Sequence, residues 1–193
     1  MKKLLAMLLA LVMVLSFAAC ATEEEVVDEP VEDTPVVDEP VEETTEATYT
    51  LGLGVVVSQT TGEKAQVDAT FASVVTDAEG TIVAIDLDVA QSKGVKNDAG
   101  VYTAEGFDAR TKTEKGPDYG MTVASPIGAE WYVQADAYCA YVAGKTAADL
   151  EAIELVEHNN HLVALNEADL YAGCTMQVNS YIEATVKAIG YAD

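Results

Sequence analysis

The chain has 193 residues, half of them hydrophobic, and a formal net charge of −23 from 10 basic against 33 acidic side chains. So acidic a balance argues against nucleic acid as a partner and against docking on anionic lipid through charge alone, since both need a basic face. The length beyond the first fifty residues suits one domain with its own core.

Lys2 and Lys3 precede an uninterrupted apolar run over residues 4–15, and Phe17-Ala18-Ala19-Cys20 follows. The run is too short to span a bilayer comfortably as a permanent helix, and small residues before a cleavage point are what a signal peptidase admits. Residues 1–19 are therefore read as a secretory signal. With a cysteine directly after the small pair, the segment resembles the signal of bacterial lipoproteins. The resemblance implies that the Cys20 thiol takes a diacylglyceryl group, that cleavage falls before it, and that the chain is lipid-anchored on the extracytoplasmic face of the cell membrane. Two acyl chains, at about 0.8 kcal/mol per buried CH₂, hold a protein durably where one does not.

Residues 20–48 read as a linker. Twelve acidic and no basic side chains lie between Ala21 and Thr48, with Pro30, Pro35 and Pro40 evenly spaced and the heptapeptide VVDEPVE repeated. Prolines remove backbone donors and like charges repel, so an extended, disordered, solvated segment is expected rather than a strand. At ~3.1 Å per residue it would reach up to roughly 90 Å from the bilayer. Of the net charge the linker carries −12 and the signal lysines +2, which leaves −13 on the domain over residues 49–193.

Within the domain, residues 51–57 are apolar and β-branched, 65–75 alternate with Val67, Ala69, Phe71 and Ser73 as inward candidates, and 81–89 alternate again. Asp77-Ala78-Glu79-Gly80 predicts a hairpin turn between the second and third strands. Residues 93–121 have no clear period and read mainly as loop. Ser125-Pro126 looks like a cap and first helical position, with Ile127, Trp131, Ala135, Tyr138 and Val142 on one face and Gly144 at the end. Thr146 to Asp149 carries a capping-box pattern for a shorter helix ending near Leu155 or Val156. A turn at 158–160 leads to a candidate strand over 161–165. Asn179 is expected to cap a final helix whose inner face is Tyr181, Ile182, Thr185, Val186 and Ile189, closed by Gly190. The fold class is α+β, an antiparallel sheet packed against helices.

Several side chains could carry chemistry. Cys139 and Cys174 form an even pair in an oxidising compartment: either a disulfide or two buried thiols. His158 and His161 could share a metal only if helical, and the asparagines between them read as a turn, so no metal site is assigned. The domain has no phosphate loop, nucleophile elbow or glycosidase acid pair, so a hydrolase finds little support. Trp131, with Tyr119, Met121 and Tyr132, is either plain core or a wall for a flat aromatic ligand.

The run Asp169-Leu170-Tyr171-Ala172-Gly173-Cys174-Thr175, followed by a helix rich in Val, Ile and Ala, resembles the end of extracytoplasmic FMN-binding domains. Their pattern is Asp, two free positions, Ser or Thr, a small residue, Ala, then Thr or Ser. Asp169, Gly173 and Thr175 match it; Ala172 stands for a hydroxyl and Cys174 for alanine. Gly52-Leu53-Gly54 and the hairpin through residue 83 resemble the amino-terminal half of the same domain, and the 112–131 segment an insertion in its lipoprotein relatives. The resemblance implies covalent FMN on Thr175, attached by a flavin transferase, and electron transfer from a membrane redox donor. A hydroxyl ahead of a helix N-terminus is also a place where phosphate is favoured. The alternative is a flavin-free binding or scaffolding surface lipoprotein of the same fold.

Overall fold

The computed structural model describes residues 47–60, 65–103 and 108–190, all within one compact unit over 44–193. The signal, Cys20 and the linker up to residue 46 lie outside the described residues. Three long strands, β1 (Thr50–Thr60), β2 (Gln66–Thr76) and β3 (Ile82–Lys93), form an antiparallel sheet in chain order. The turn expected at 77–80 joins β2 to β3: Asp77 Oδ1 accepts from the amides of Glu79 and Thr81, and Gly80 takes φ +78°. A short pair follows, β4 (Val95–Lys96) with β5 (Tyr102–Thr103). Next come α1 (Lys112–Lys115), a 3₁₀ turn (Gly116–Tyr119), α2 (Trp131–Val142) and α3 (Ala147–Glu151). The hairpin β6 (Val156–His158) and β7 (His161–Val163), α4 (Ala168–Gly173) and α5 (Asn179–Gly190) complete an α+β fold with helices against one sheet face.

That covered face carries Gly52, Gly54 and Val56 of β1, Thr70, Ala72 and Val74 of β2, and Leu87 and Val89 of β3, all buried. Over the first half of β1, α5 lies directly on the strand. A Cβ built on Gly52 would fall 1.8 Å from the Ala188 carbonyl oxygen, and one on Gly54 1.8 Å from that of Ala184. The expected alternation on β2 is present with its faces exchanged: Val67, Ala69, Phe71 and Ser73 lie on the outer face. A helix seated on glycine leaves no depth beneath it for a ring such as Phe71, so the smaller Thr70, Ala72 and Val74 take the inner side. The outer face stays open, with Leu51 70%, Leu53 57% and Val57 66% exposed along the edge strand β1.

The first long helix starts later than Pro126. Residues 121–130 form turns, folded back because Glu130 Oε2 accepts from the Met121 amide at 2.8 Å, and Ile127 is left exposed. From Trp131 onward the expected face is buried, with Gln134 added to it. Thr146 and Asp149 form the expected capping box, but α3 ends at Glu151 and the chain turns into β6. Asn159 and Asn160 both take positive φ, 52° and 62°, the twist that a two-residue hairpin needs. Asn179 is the first residue of α5 and does not cap it, since its Oδ1 is buried with no hydrogen-bond partner. The buried stripe of α5 is Tyr181, Ala184, Thr185 and Ala188; small residues sit where β1 has glycine.

Trp131, Tyr138 and Tyr181 knit α2 to α5. Trp131 meets Tyr181 edge-on with centroids 6.3 Å apart, Tyr138 meets it at 5.7 Å, and Trp131 Nε1 donates to Tyr181 Oη at 2.9 Å. Thr185 Oγ1 donates to the Tyr181 carbonyl at 2.7 Å and lies 2.9 Å from Tyr138 Oη. Buried hydroxyl and indole groups are thus paired among themselves.

Candidate functional site

Toward the far end of β1 the covered sheet face turns polar. Ser58 from β1, Gln66, Asp68 and Thr70 from β2, and Val89 and Gln91 from β3 floor a cleft of about 520 Å³. That volume lies within the range of about 300–1,000 Å³ usual for small-molecule sites. Asp68 organises the floor, accepting from the side-chain amides of both Gln66 and Gln91. One wall is aromatic and soft: Tyr119, Met121 and Trp131. The rim is the tip of the β6–β7 hairpin, with His158, Asn159 and His161, and the stretch after α4 that carries Thr175, Met176 and Gln177. His161 Nδ1 lies 3.3 Å from Gln177 Oε1, joining hairpin to loop.

Thr175 is held by one buried amide. Gln134, fully buried on α2, accepts through Oε1 from the Thr175 backbone N–H at 3.0 Å and from the Thr175 hydroxyl at 3.1 Å. Its Nε2 donates to Ser125 Oγ at 3.1 Å and to the Ala129 carbonyl at 3.0 Å. The orientation of the Thr175 side chain is therefore set by a hydrogen-bond network rather than by loop geometry alone.

Lys112 brings a cation to the aromatic wall. Its Nζ lies 5.2 Å from the centroid of Tyr119 and 5.4 Å from that of Trp131, within cation–π reach of both. Burial pulls its pKa down to about 8, with Asp68 opposing that shift. Burial likewise raises the pKa of Tyr119, against a hydrogen bond from Gln91.

The structure brings Thr175 together with Trp131, Tyr119 and Met121 in this cleft. Tyr132 packs against the core beside them. Of the rest of the 169–175 run, Tyr171 also lines the cleft, whereas Asp169, Gly173 and Cys174 do not. Asp169 is exposed on α4, its charge acting on Tyr141. Gly173 presses on α2, where an added Cβ would come within 2.8 Å of Ala137 Cβ, so its small size serves helix packing. Cys174 is 1% exposed in the core. Cys139 and Cys174 are free thiols here, their pKa values pushed by burial to about 12 and about 11. His158 and His161 stand opposite each other across the hairpin turn, and among the described residues no group of three or more potential metal ligands forms.

Lys112 and Gln134 were not foreseen. Gln134 left a signal, a lone amide within the otherwise apolar stripe of α2, whereas Lys112 sits in a stretch with no period to place it.

Comparison with family models, with curated proteins and with solved structures finds no match. The site must therefore be read from its chemistry. An aromatic wall, amide donors and acceptors on the floor and rim, a rim hydroxyl and a half-buried cation suit a flat, heteroaromatic ligand with hydrogen-bonding edges. A flavin has that chemistry.

Proposed function

We propose that this chain is a lipid-anchored extracytoplasmic flavin carrier, tethered at Cys20, whose cleft holds FMN joined to Thr175. The observation that carries the reading is the convergence of Thr175 with Trp131, Tyr119 and Met121 on one cleft, although the sequence reasons for singling them out were independent. Thr175 would be the attachment point. Its Oγ attacks the FMN phosphorus of FAD, AMP leaves, and the hydroxyl proton passes to a base of the transferase. Gln134, which accepts that hydroxyl's hydrogen bond in the ligand-free chain, holds the Thr175 side chain in place and would release the proton for the step. Tyr119, Met121 and Trp131 would wall the ring, and Gln66, Gln91 and Gln177 would offer amides to its edges. Bound there, the flavin would supply reversible two-electron chemistry, while the protein supplies placement and a long tether toward a membrane redox donor.

The test is to express the chain without its signal together with a flavin transferase and FAD, and to measure denatured mass and flavin fluorescence. The expected result is a gain of one FMN that disappears in Thr175→Ala. Unmodified protein, from a transferase that modifies another substrate, would sink covalent attachment. A second reading is then favoured by the placement of Asp169, Gly173 and Cys174 away from the cleft: a flavin-free lipoprotein whose cleft binds an aromatic ligand reversibly.

A further inference from the structure

The 112–131 segment builds the aromatic wall and also delivers a charge. Lys112 is the first residue of α1, and that turn is fixed by a capping box: Thr111 Oγ1 accepts from the Glu114 amide and Glu114 Oε2 from the Thr111 amide at 2.7 Å. The Thr113 amide donates to Asp88 Oδ1 at 3.1 Å and ties the turn to β3. The ammonium is thus positioned by backbone, not by an ion pair. Among the described residues no carboxylate lies within ion-pair reach of it and no acceptor takes its N–H groups; its contacts are the two ring faces. Asp68, the acid whose charge acts on it most, is already engaged by the amides of Gln66 and Gln91. A half-buried ammonium with open donors gains a charge-assisted contact when an anion meets it. Any ring that fills the cleft against Trp131 and Tyr119 shares its walls with this cation.

We propose that Lys112 selects for negative charge on the ring of the bound ligand, so that the cleft holds the reduced, anionic state of a flavin more tightly than the neutral oxidised state. The proposal rests on the reading of the cleft as a flavin site. Its effect would be to raise the reduction potential of the bound flavin.

Riboflavin is the probe, because it lacks the phosphate and changes only its ring charge. Reduction by dithionite adds two electrons, with one proton taken from water, and leaves the ring with one negative charge. Trp131, the one tryptophan of the chain, reports binding by its emission. Anaerobic titrations of the chain without its signal should show reduced riboflavin binding at least about tenfold tighter than oxidised. For a two-electron couple tenfold corresponds to about 30 mV. Lys112→Arg should keep the preference; Lys112→Met and Lys112→Gln should lose it while still binding the oxidised form.

Raising the pH through about 8 should erase the preference in wild type, as Lys112 gives up its proton, but not in Lys112→Arg. The charges acting on Lys112 are those of Asp68, Asp88, Lys93 and Lys115, Tyr119 beside it is shifted upward, out of that range, and His158 and His161 stand on the cleft rim. A preference equal in wild type and Lys112→Met would overturn the role of Lys112 alone. No binding of either form by wild type would overturn both this proposal and the flavin reading.

Discussion

Where β1 begins, Gly52 and Gly54 let the backbone of α5 come down onto the strand, with Ala184 and Ala188 fully buried above them. Toward the other end of the same face, Ser58, Gln66, Asp68 and Gln91 carry polar side chains and, among the described residues, no helix is seated on them; a cleft stands there instead. One end is closed by removing side chains, the other kept open by polar ones that a helix could not cover without leaving buried groups unpaired. Stability and binding thus occupy separate stretches of one sheet, and substitutions at the two ends should have different signatures.

The largest effect is expected at the closed end. Gly54→Val forces a side chain into the Ala184 carbonyl and should cost about 3 kcal/mol or more in urea unfolding, whereas Ser58→Val on the cleft floor should change stability by less than about 1 kcal/mol and weaken ligand binding. Next comes Gln134→Leu, which keeps the volume but strips partners from the Thr175 amide and hydroxyl. It should destabilise by about 2 kcal/mol and reduce flavin loading at Thr175, read together by thermal melts and intact mass.

Lys112→Met sharpens the contrast by reversing sign. Below about pH 8 Lys112 is protonated in both states, so the fold bears the whole cost of burying its charge. From about 8 to its ordinary value of 10.5 the folded state releases the proton first, the unfolded state binds more, and wild-type stability gains with rising pH. The ligand-free variant should therefore be more stable than wild type at neutral pH by about 1 kcal/mol, the gap narrowing across that window in pH-dependent urea melts. Smallest is Thr146→Ala, which removes the cap of α3 outside the cleft lining and should cost about 0.5 kcal/mol with riboflavin affinity unchanged.

Much of this fold is legible from local chemistry. The β2–β3 hairpin follows from Asp77 and Gly80, the α3 cap from Thr146 and Asp149, and the buried stripe of α2 from Trp131, Tyr138 and Val142. The misreadings at β2 and at the start of α2 each depended on a partner beyond the local pattern. Which side of β2 is buried depends on α5 sitting against Gly52 and Gly54. The start of α2 depends on Glu130 reaching back to Met121, an acceptor that displaced the helix Pro126 suggested. At the site, Thr175 and the aromatic wall could be singled out separately, but that they share a cleft is a property of tertiary structure. Lys112 carried no pattern of its own.

The outer face of the sheet gives the domain's acidity a colloidal meaning. Leu51, Leu53 and Val57 stand exposed on an edge strand, an arrangement that invites copies of the chain to pair edge to edge. Mutual repulsion between domains of net charge −13 opposes that association at low ionic strength. Raising salt from about 0.1 M to about 1 M shortens the screening length from about 10 Å to about 3 Å, so the domain should stay dispersed in dilute buffer and self-associate in concentrated salt.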